Sequence, residues 1–333
     1  MMRIEAFTEA RTPDEPAANE DQLLILPGRG YAVIDGVTDR TGHRYDGLSA
    51  GRVASGTVQH ATAAFLLDPA ENALDPARLI EQVERAIREA YQRHDILDVA
   101  TREPARRFGA TLALAAEGDG FWRFVLIGDS GVRLNGRELW VNDTGLDRVT
   151  ASLRQEAYRR VERAGGTPGD QARVGRASAF HGAARVHPDM QPWLDEAALL
   201  ELRAECLAAC RSLFPKVPAS DIERLLDGGI LAGQGAFQNN TDSPLSYAVL
   251  DGFETPMALV RVIDRERSAI SSIELFTDGY FEIAETPSIA AWEASFREVE
   301  RCDPDKIDRY PSVKGSAAGR YADDRTVIVI HHQ

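Results

Sequence analysis

Aspartates recur in this chain at one kind of place, just beyond an apolar run and usually with glycine next. Asp35-Gly36 ends Ala32-Val33-Ile34, and Asp129 follows Phe124-Val125-Leu126-Ile127-Gly128. Asp278-Gly279 ends Ile273-Glu274-Leu275-Phe276-Thr277, and Asp323-Asp324 opens onto Val327-Ile328-Val329-Ile330. Asn19-Glu20-Asp21 stands before the run at Leu23. Such runs are strand-like, and an aspartate at a strand end has its backbone fixed by the sheet and its carboxylate at the rim. Glycine beside it lets the chain turn sharply and lets other groups approach closely. One Asp-Gly is an ordinary turn signal; the repetition at separate strand ends is informative. If those ends converge, the carboxylates repel, and hard divalent cations are the natural compensation. An all-oxygen donor set suits Mg²⁺ or Mn²⁺, and no His or Cys belongs to this group.

The elements that must position these acids read as strands, then helices, then strands again. Residues 2–36 hold three short strands, the best being 22–26 and 31–35 around a Pro-Gly-Arg-Gly turn. A helix follows at 48–67, with Ala50, Gly51, Ala54 and Ser55 where it must approach a sheet closely. A second, at 76–94, carries a stripe of Leu79, Val83, Ala86, Ile87 and Ala90. Strand character returns at 111–115, 122–127, 131–134 and 138–141, and later at 247–250, 258–263, 270–276 and 325–330, with a helix at 288–301. Residues 142–245 differ, with helical patterns at 146–163, 195–213 and 219–227 separated by loops such as 164–169. They read as a helical insertion, or flap, on a single domain spanning 1–333. The order is not a regular strand-helix alternation, so a mainly antiparallel α+β arrangement is expected.

Composition narrows the partners. Fifty-two acidic against 38 basic side chains leave a formal charge of −14, which repels phosphate backbones and anionic head groups and argues against nucleic-acid or membrane-surface binding. No run approaches the roughly 20 apolar residues a membrane span needs. The opening segment, Met1 to Glu9, has acids where a secretory signal has its apolar stretch. Of the three cysteines, Cys206 and Cys210 lie four apart on a helical pattern without a second Cys/His pair to complete a zinc site, so they read as core thiols. Cys302 is the third. A cytoplasmic location is expected.

The acidic motifs, taken in order, resemble a known family. Asn19-Glu20-Asp21, Ala32-Val33-Ile34-Asp35-Gly36, Phe108-Gly109-Ala110-Thr111-Leu112, Ile127-Gly128-Asp129-Ser130, Phe276-Thr277-Asp278-Gly279 and Asp323-Asp324-Arg325-Thr326-Val327 are similar to the motifs of PP2C-type metal-dependent protein phosphatases. The resemblance covers about 15–141 and 245–331 and leaves the helical segment without a counterpart. It implies a four-layer αββα sandwich of two mainly antiparallel sheets, with two Mn²⁺ or Mg²⁺ ions at one end and water activated between them. The reaction it implies is hydrolysis of phosphoserine and phosphothreonine in a phosphorylated protein, and it makes Asp35 and Asp278 catalytic through that water. Carried over residue by residue, it makes Asp35 the bridge between the ions and the Gly36 carbonyl a ligand, with Asp278 and Asp323 on the other ion. Asp323 is preferred to Asp324 because it stands three before Thr326. Glu20 and Asp21 become a ligand and a partner of metal-bound water, and Asp129 with Glu282 corresponds to a third, weaker metal position.

The chain departs from the family after Gly36, where Val37-Thr38-Asp39-Arg40 replaces the usual segment and leaves no general acid assigned. Arg11 is the candidate phosphate anchor, with Arg40 and Arg44 as rivals; His43 reads as a loop histidine. Arg159, Arg160 and Arg163 read as an exposed helix face, and His331-His332 as a frayed end. Gln234 to Asn240 is rich in polar groups for lining a cleft. Two alternatives stand beside the phosphoprotein phosphatase: a regulatory or binding module that keeps the fold, and a hydrolase of small phosphorylated molecules. The sequence leaves the oligomeric state open.

Overall fold

The computed structural model describes residues 2–38, 42–69, 74–317 and 319–332. In chain order the first part runs β1 (Met2–Glu9), β2 (Gln22–Leu26), β3 (Gly30–Gly36), the two-residue strands β4 (Arg44–Tyr45) and β5 (Leu48–Ser49), and the helices α1 (Ala50–Leu67), α2 (Pro76–Arg93) and α3 (Leu97–Arg102). Strands β6 (Ala110–Glu117), β7 (Phe121–Ile127), β8 (Gly131–Leu134) and β9 (Glu138–Trp140) follow. Helices α4 (Leu146–Arg163), α5 (Pro168–His181), α6 (Glu196–Leu213) and α7 (Ala219–Gly228) come next, then β10 (Arg261–Glu266), β11 (Ser272–Phe276), α8 (Ile289–Cys302) and β12 (Arg325–His332).

Two five-stranded antiparallel sheets result, in the orders β1-β12-β11-β8-β9 and β10-β7-β6-β3-β2. The strict two-residue alternation of side chains explains how they stack. Tyr31 and Val33 of β3 join Ala113, Phe124, Leu275, Ile328 and Ile330 in a core between the sheets. Their neighbours Ala32 and Ile34 face the other way, onto Val58 and Phe65 of α1 and Val83 and Ile87 of α2. On the far sheet, Val327 and Val329 pack with Phe276 against Trp292 and Phe296 of α8. The layers are helix, sheet, sheet, helix, which is the αββα sandwich. Strands buried on both faces read as continuous apolar runs, as 124–127 and 327–330 do.

By contacts the chain divides into two compact units, Met1–Asn142 with Ala248–Val299 and Gly319–Gln333, and Asp143–Tyr247 with Glu300–Ala318. The second has its own core, built from Val149 and Leu153 of α4, Leu202 of α6 and Ile222 and Leu225 of α7. Cys206 and Cys210 are buried in it as free thiols, whereas Cys302 is exposed. Arg159, Arg160 and Arg163 pair with Asp308, Glu205 and Glu156, so that run is a salt-bridged helix face. Asn240 accepts from Ser246 Oγ at 2.7 Å and from the Asp242 N–H at 3.1 Å, so at least part of the polar 234–240 segment is spent on closing its own loop.

Three local readings need correction. Residues 247–250 form isolated bridges, Gln238 to Tyr247 and Ala110 to Leu250, and no strand. The histidines at the end are not frayed: His331 and His332 are paired in β12 with Arg3 and Met2. Helix α5 was not anticipated, because its apolar face is built of small residues, Val174, Ala177 and Ala179, around Gly175. Its start is nonetheless written in a Thr167–Asp170 capping box with Pro168 at the first turn.

Candidate functional site

Strand β3 ends at Asp35-Gly36, and its register sets Asp35 opposite Thr111 and Gly36 opposite Ala110 at the start of β6. Asp35 continues the alternation of Tyr31 and Val33, so it stands at one end of the inter-sheet face. Asp278 follows β11 by two residues and Asp323 precedes β12 by two. Because β11 and β12 are antiparallel neighbours pairing Phe276 with Val327, those two acids fall at the same end. Glycine permits the join: a Cβ at Gly279 would lie 1.9 Å from the Asp324 carbonyl oxygen.

The acids feel one another. Desolvation, and then the charges of Asp278, Asp21, Asp323 and Asp129, push the Asp35 carboxyl well above the usual carboxylate range. Asp21 is pushed up to about 8, mostly by burial and then by Asp324, against the lowering effect of hydrogen bonds from Thr326 and Thr277. Thr277 Oγ1 donates to Asp21 Oδ2 at 2.8 Å, while Asp21 Oδ1 is buried without a hydrogen-bond partner. Four carboxylates from four further stretches of sequence thus bear on Asp35; Asp21 is buried, Asp129 and Asp323 are half-buried and Asp278 is exposed.

A corner of backbone holds the Glu20-Asp21 pair in this assembly. The Asp21 N–H donates to Asn19 Oδ1 at 2.9 Å, and Asn19 Nδ2 to Thr8 Oγ1 at 2.9 Å. Asp324 accepts the N–H groups of Arg11 at 2.6 Å and Glu20 at 2.8 Å, one on each oxygen. Its carboxylate is therefore committed to backbone donors, whereas Asp323 is one of the charges that bear on Asp35. Glu20 is buried, and its Oε1 accepts from Ser49 Oγ at 2.5 Å. Ser49 also caps α1, accepting the Arg52 N–H. The small residues expected at the start of α1 have this use: a Cβ at Gly51 would lie 2.8 Å from Glu20 Oε1 and 2.9 Å from the Gly36 carbonyl oxygen.

The other candidates are placed as follows. Asp129 is half-buried just after β7, and its charge reaches Asp35. Glu282 is half-buried four residues past Asp278, its carbonyl bonded by Ser295 Oγ at 3.0 Å. Arg11 engages through its backbone, donating to Asp324 and accepting from the Tyr321 N–H at 2.7 Å, and it partly offsets the burial that raises the Asp324 pKa. His43 and Arg44 are exposed. Asp39 and Arg40 lie outside the described residues. Sequence reasoning missed the support around the acids: Asp324 as a backbone clamp, Thr277 on Asp21, and Ser49 with Arg52 on the Glu20 corner. Only Ser49 left a signal, as an N-cap serine before a small-residue helix.

Among the described residues no group of three or more His, Cys, Asp or Glu side chains is arranged to hold a metal ion as placed. The donor chemistry nonetheless fits hard divalent cations: all the donors are oxygen, one buried carboxylate oxygen of Asp21 has no partner, and the mutual repulsion at Asp35 is what a cation relieves.

With that geometry in view, comparison places the chain. Solved structures similar to the chain include bacterial serine/threonine phosphatases. The Mycobacterium tuberculosis enzyme PstP/Ppp is 17% identical, with a TM-score of 0.44 over 100% of this chain and 99% of that one. Stp1 from Staphylococcus aureus is 14% identical, with a TM-score of 0.48 over 100% and 96%. The catalytic domain of PstP solved in complex with two manganese ions is 17% identical, with a TM-score of 0.43 over 99% and 97%. A search of curated protein sequences returns no match. The family model for protein phosphatase 2C matches residues 15–307. The chain belongs to the protein phosphatase 2C family.

Proposed function

We propose that the protein is a metal-dependent phosphatase acting on phosphoserine and phosphothreonine in proteins, with Asp35 at the centre of the site. The observation that carries this is the gathering of Asp21, Asp129, Asp278 and Asp323 around Asp35 at one end of the inter-sheet face. Membership of the family supports the reaction class. Asp35, the Gly36 carbonyl, Asp278, Asp323 and Glu20 would hold two Mn²⁺ or Mg²⁺ ions, with Asp21 orienting water and Asp129 and Glu282 offering a further, weaker position. When bound, such ions acidify water and neutralise charge on a phosphoryl group. The chain's own contribution is to fix the Glu20-Asp21 corner and bury its carboxylates, so that they need little reorganisation on binding an ion or a phosphate ester. Thr277 holds one Asp21 oxygen, and Asp324 holds the backbone that carries Glu20. Among the described residues no helix is long and apolar enough to cross a membrane. A phosphorylated protein is the substrate we assign, and the net charge of −14 argues against nucleic acid or an anionic membrane surface as the partner. The helical unit is assigned to substrate selection as an insertion on a single catalytic domain.

The test is turnover of p-nitrophenyl phosphate, of phosphoserine and phosphothreonine peptides, and of phosphorylated metabolites, with Mn²⁺ and with chelator. The expected result is Mn²⁺-dependent hydrolysis that favours the peptides and vanishes in Asp35→Ala. Preference for the metabolites would make the enzyme a small-molecule phosphatase. No metal-dependent turnover would leave a regulatory module, and turnover indifferent to Asp35→Ala would refute the assignment of the site to Asp35.

A further inference from the structure

We propose that Arg52 is a positioning residue that fixes the Glu20-Asp21 corner, an inference that rests on the metal-dependent reading above. Arg52 is the third residue of α1 and is half-buried. Its Nη1 donates to the Asn19 carbonyl at 2.9 Å and to the Asp21 carbonyl at 3.0 Å, the two peptide oxygens on either side of Glu20. The Glu20 N–H is held by Asp324, and its carboxylate by Ser49 one residue before α1. The corner is thus gripped from two directions, by Asp324 from the β12 side and by Arg52 and Ser49 from the first turn of α1.

That first turn has a fixed reference. Gly51 lies so close to Gly36 and Glu20 that a Cβ on either glycine would overlap the other's backbone: at Gly36 it would lie 2.3 Å from the Gly51 carbonyl oxygen, and at Gly51 2.9 Å from that of Gly36. Arg52 therefore transmits the position of the β3 end to the peptide planes that aim Glu20 and Asp21. A guanidinium suits this because Nη1 carries two N–H groups in a fixed plane, one for each carbonyl, at the end of a long side chain. Metal sites are sensitive to such supports: losing an outer hydrogen-bond partner commonly costs roughly 10–100-fold in metal affinity or activity.

The role predicts a sign that charge alone does not. As a bare cation near carboxylates, Arg52 would repel Mn²⁺, and its removal would tighten binding. As a positioning residue, its removal weakens binding because the corner relaxes. The experiment is calorimetric titration of the full chain with Mn²⁺ for wild type, Arg52→Ala, Arg52→Lys and the control Asp35→Asn, with circular dichroism on each to verify folding. The expected result is about 10-fold weaker Mn²⁺ binding in Arg52→Ala with a native spectrum, and an intermediate affinity in Arg52→Lys, which keeps the charge but ends one atom short of Nη1. Unchanged or tighter binding in Arg52→Ala overturns the proposal, and if that variant fails to fold, wild-type affinity in Arg52→Lys does the same. Wild type that takes up no Mn²⁺ is a different failure, that of the metal reading itself, and removes the proposal with it.

Discussion

At the residue scale the site is a tension between like charges. Asp35 is partly desolvated and feels the charges of four other carboxylates, so in the metal-free protein its charge opposes folding. Asp35→Asn should therefore raise metal-free stability by about 1 kcal/mol or more in urea melts with chelator, while lowering Mn²⁺-dependent activity by more than about 100-fold. A variant less stable than wild type without metal would contradict this picture of Asp35. These acids were legible in the sequence because each stands beside an apolar run. Asp324 was not, because nothing local distinguishes a carboxylate that clamps two backbone N–H groups from its neighbour Asp323, whose charge bears on Asp35. The distinction comes from residues more than 300 positions away, Arg11 and Glu20. A second buried acid, Glu84, accepts from Thr255 Oγ1 and the Gly252 N–H, and burial pushes its pKa up to about 8. With a folded pKa above the unfolded value, the native state holds a proton the unfolded chain has released between about pH 4.5 and 8. Stability should fall as pH rises through that window, and thermal melts of Glu84→Gln should show a flatter decline. Equal slopes in the two proteins would refute the assignment.

At the scale of elements, the approach of the 278–279 turn to the 323–324 turn decides whether the acids of β11 and β12 meet. Gly279→Ala puts a Cβ into the Asp324 carbonyl, and backbone rather than a flexible side chain must yield. The expected cost is at least about 2 kcal/mol in urea unfolding, at the upper end for overpacking, together with loss of Mn²⁺ binding; a neutral effect on both would show that the turns are less tightly joined. The strands were readable because burial on both faces forces apolar runs, and α1, α2 and α4 because their stripes are periodic. Helix α5 hid because Gly175 packs against α4, where a Cβ would lie 3.2 Å from the Arg154 carbonyl oxygen, so its sequence looks like loop. Likewise His331 and His332 are polar yet remain in strand, since β1 pairs with both while Ser272 of β11 pairs with His331 and the Ser271 carbonyl accepts the His332 N–H.

For the whole molecule, the presence of two separate cores matters more than the count of elements. Leu225 is fully buried in the core of the helical unit, and Leu225→Ala should cost about 2–5 kcal/mol. Hydrogen exchange should show the loss in the amides of α4 to α7 and little change in β3 and β12; uniform loss across both units would mean that they unfold as one. The sequence separated residues 142–245 by their helical character, but 300–318, which belong to the same unit, carried no such mark because they have no long element of their own.

The most direct test is anomalous scattering at the manganese edge from crystals grown with Mn²⁺. At least two peaks among Asp35, Asp278 and Asp323 are predicted, with Asp324 still bonded to the Arg11 and Glu20 amides. Peaks confined to other surfaces, or none at saturating Mn²⁺, would contradict the claim that these strand ends form a cation-holding centre.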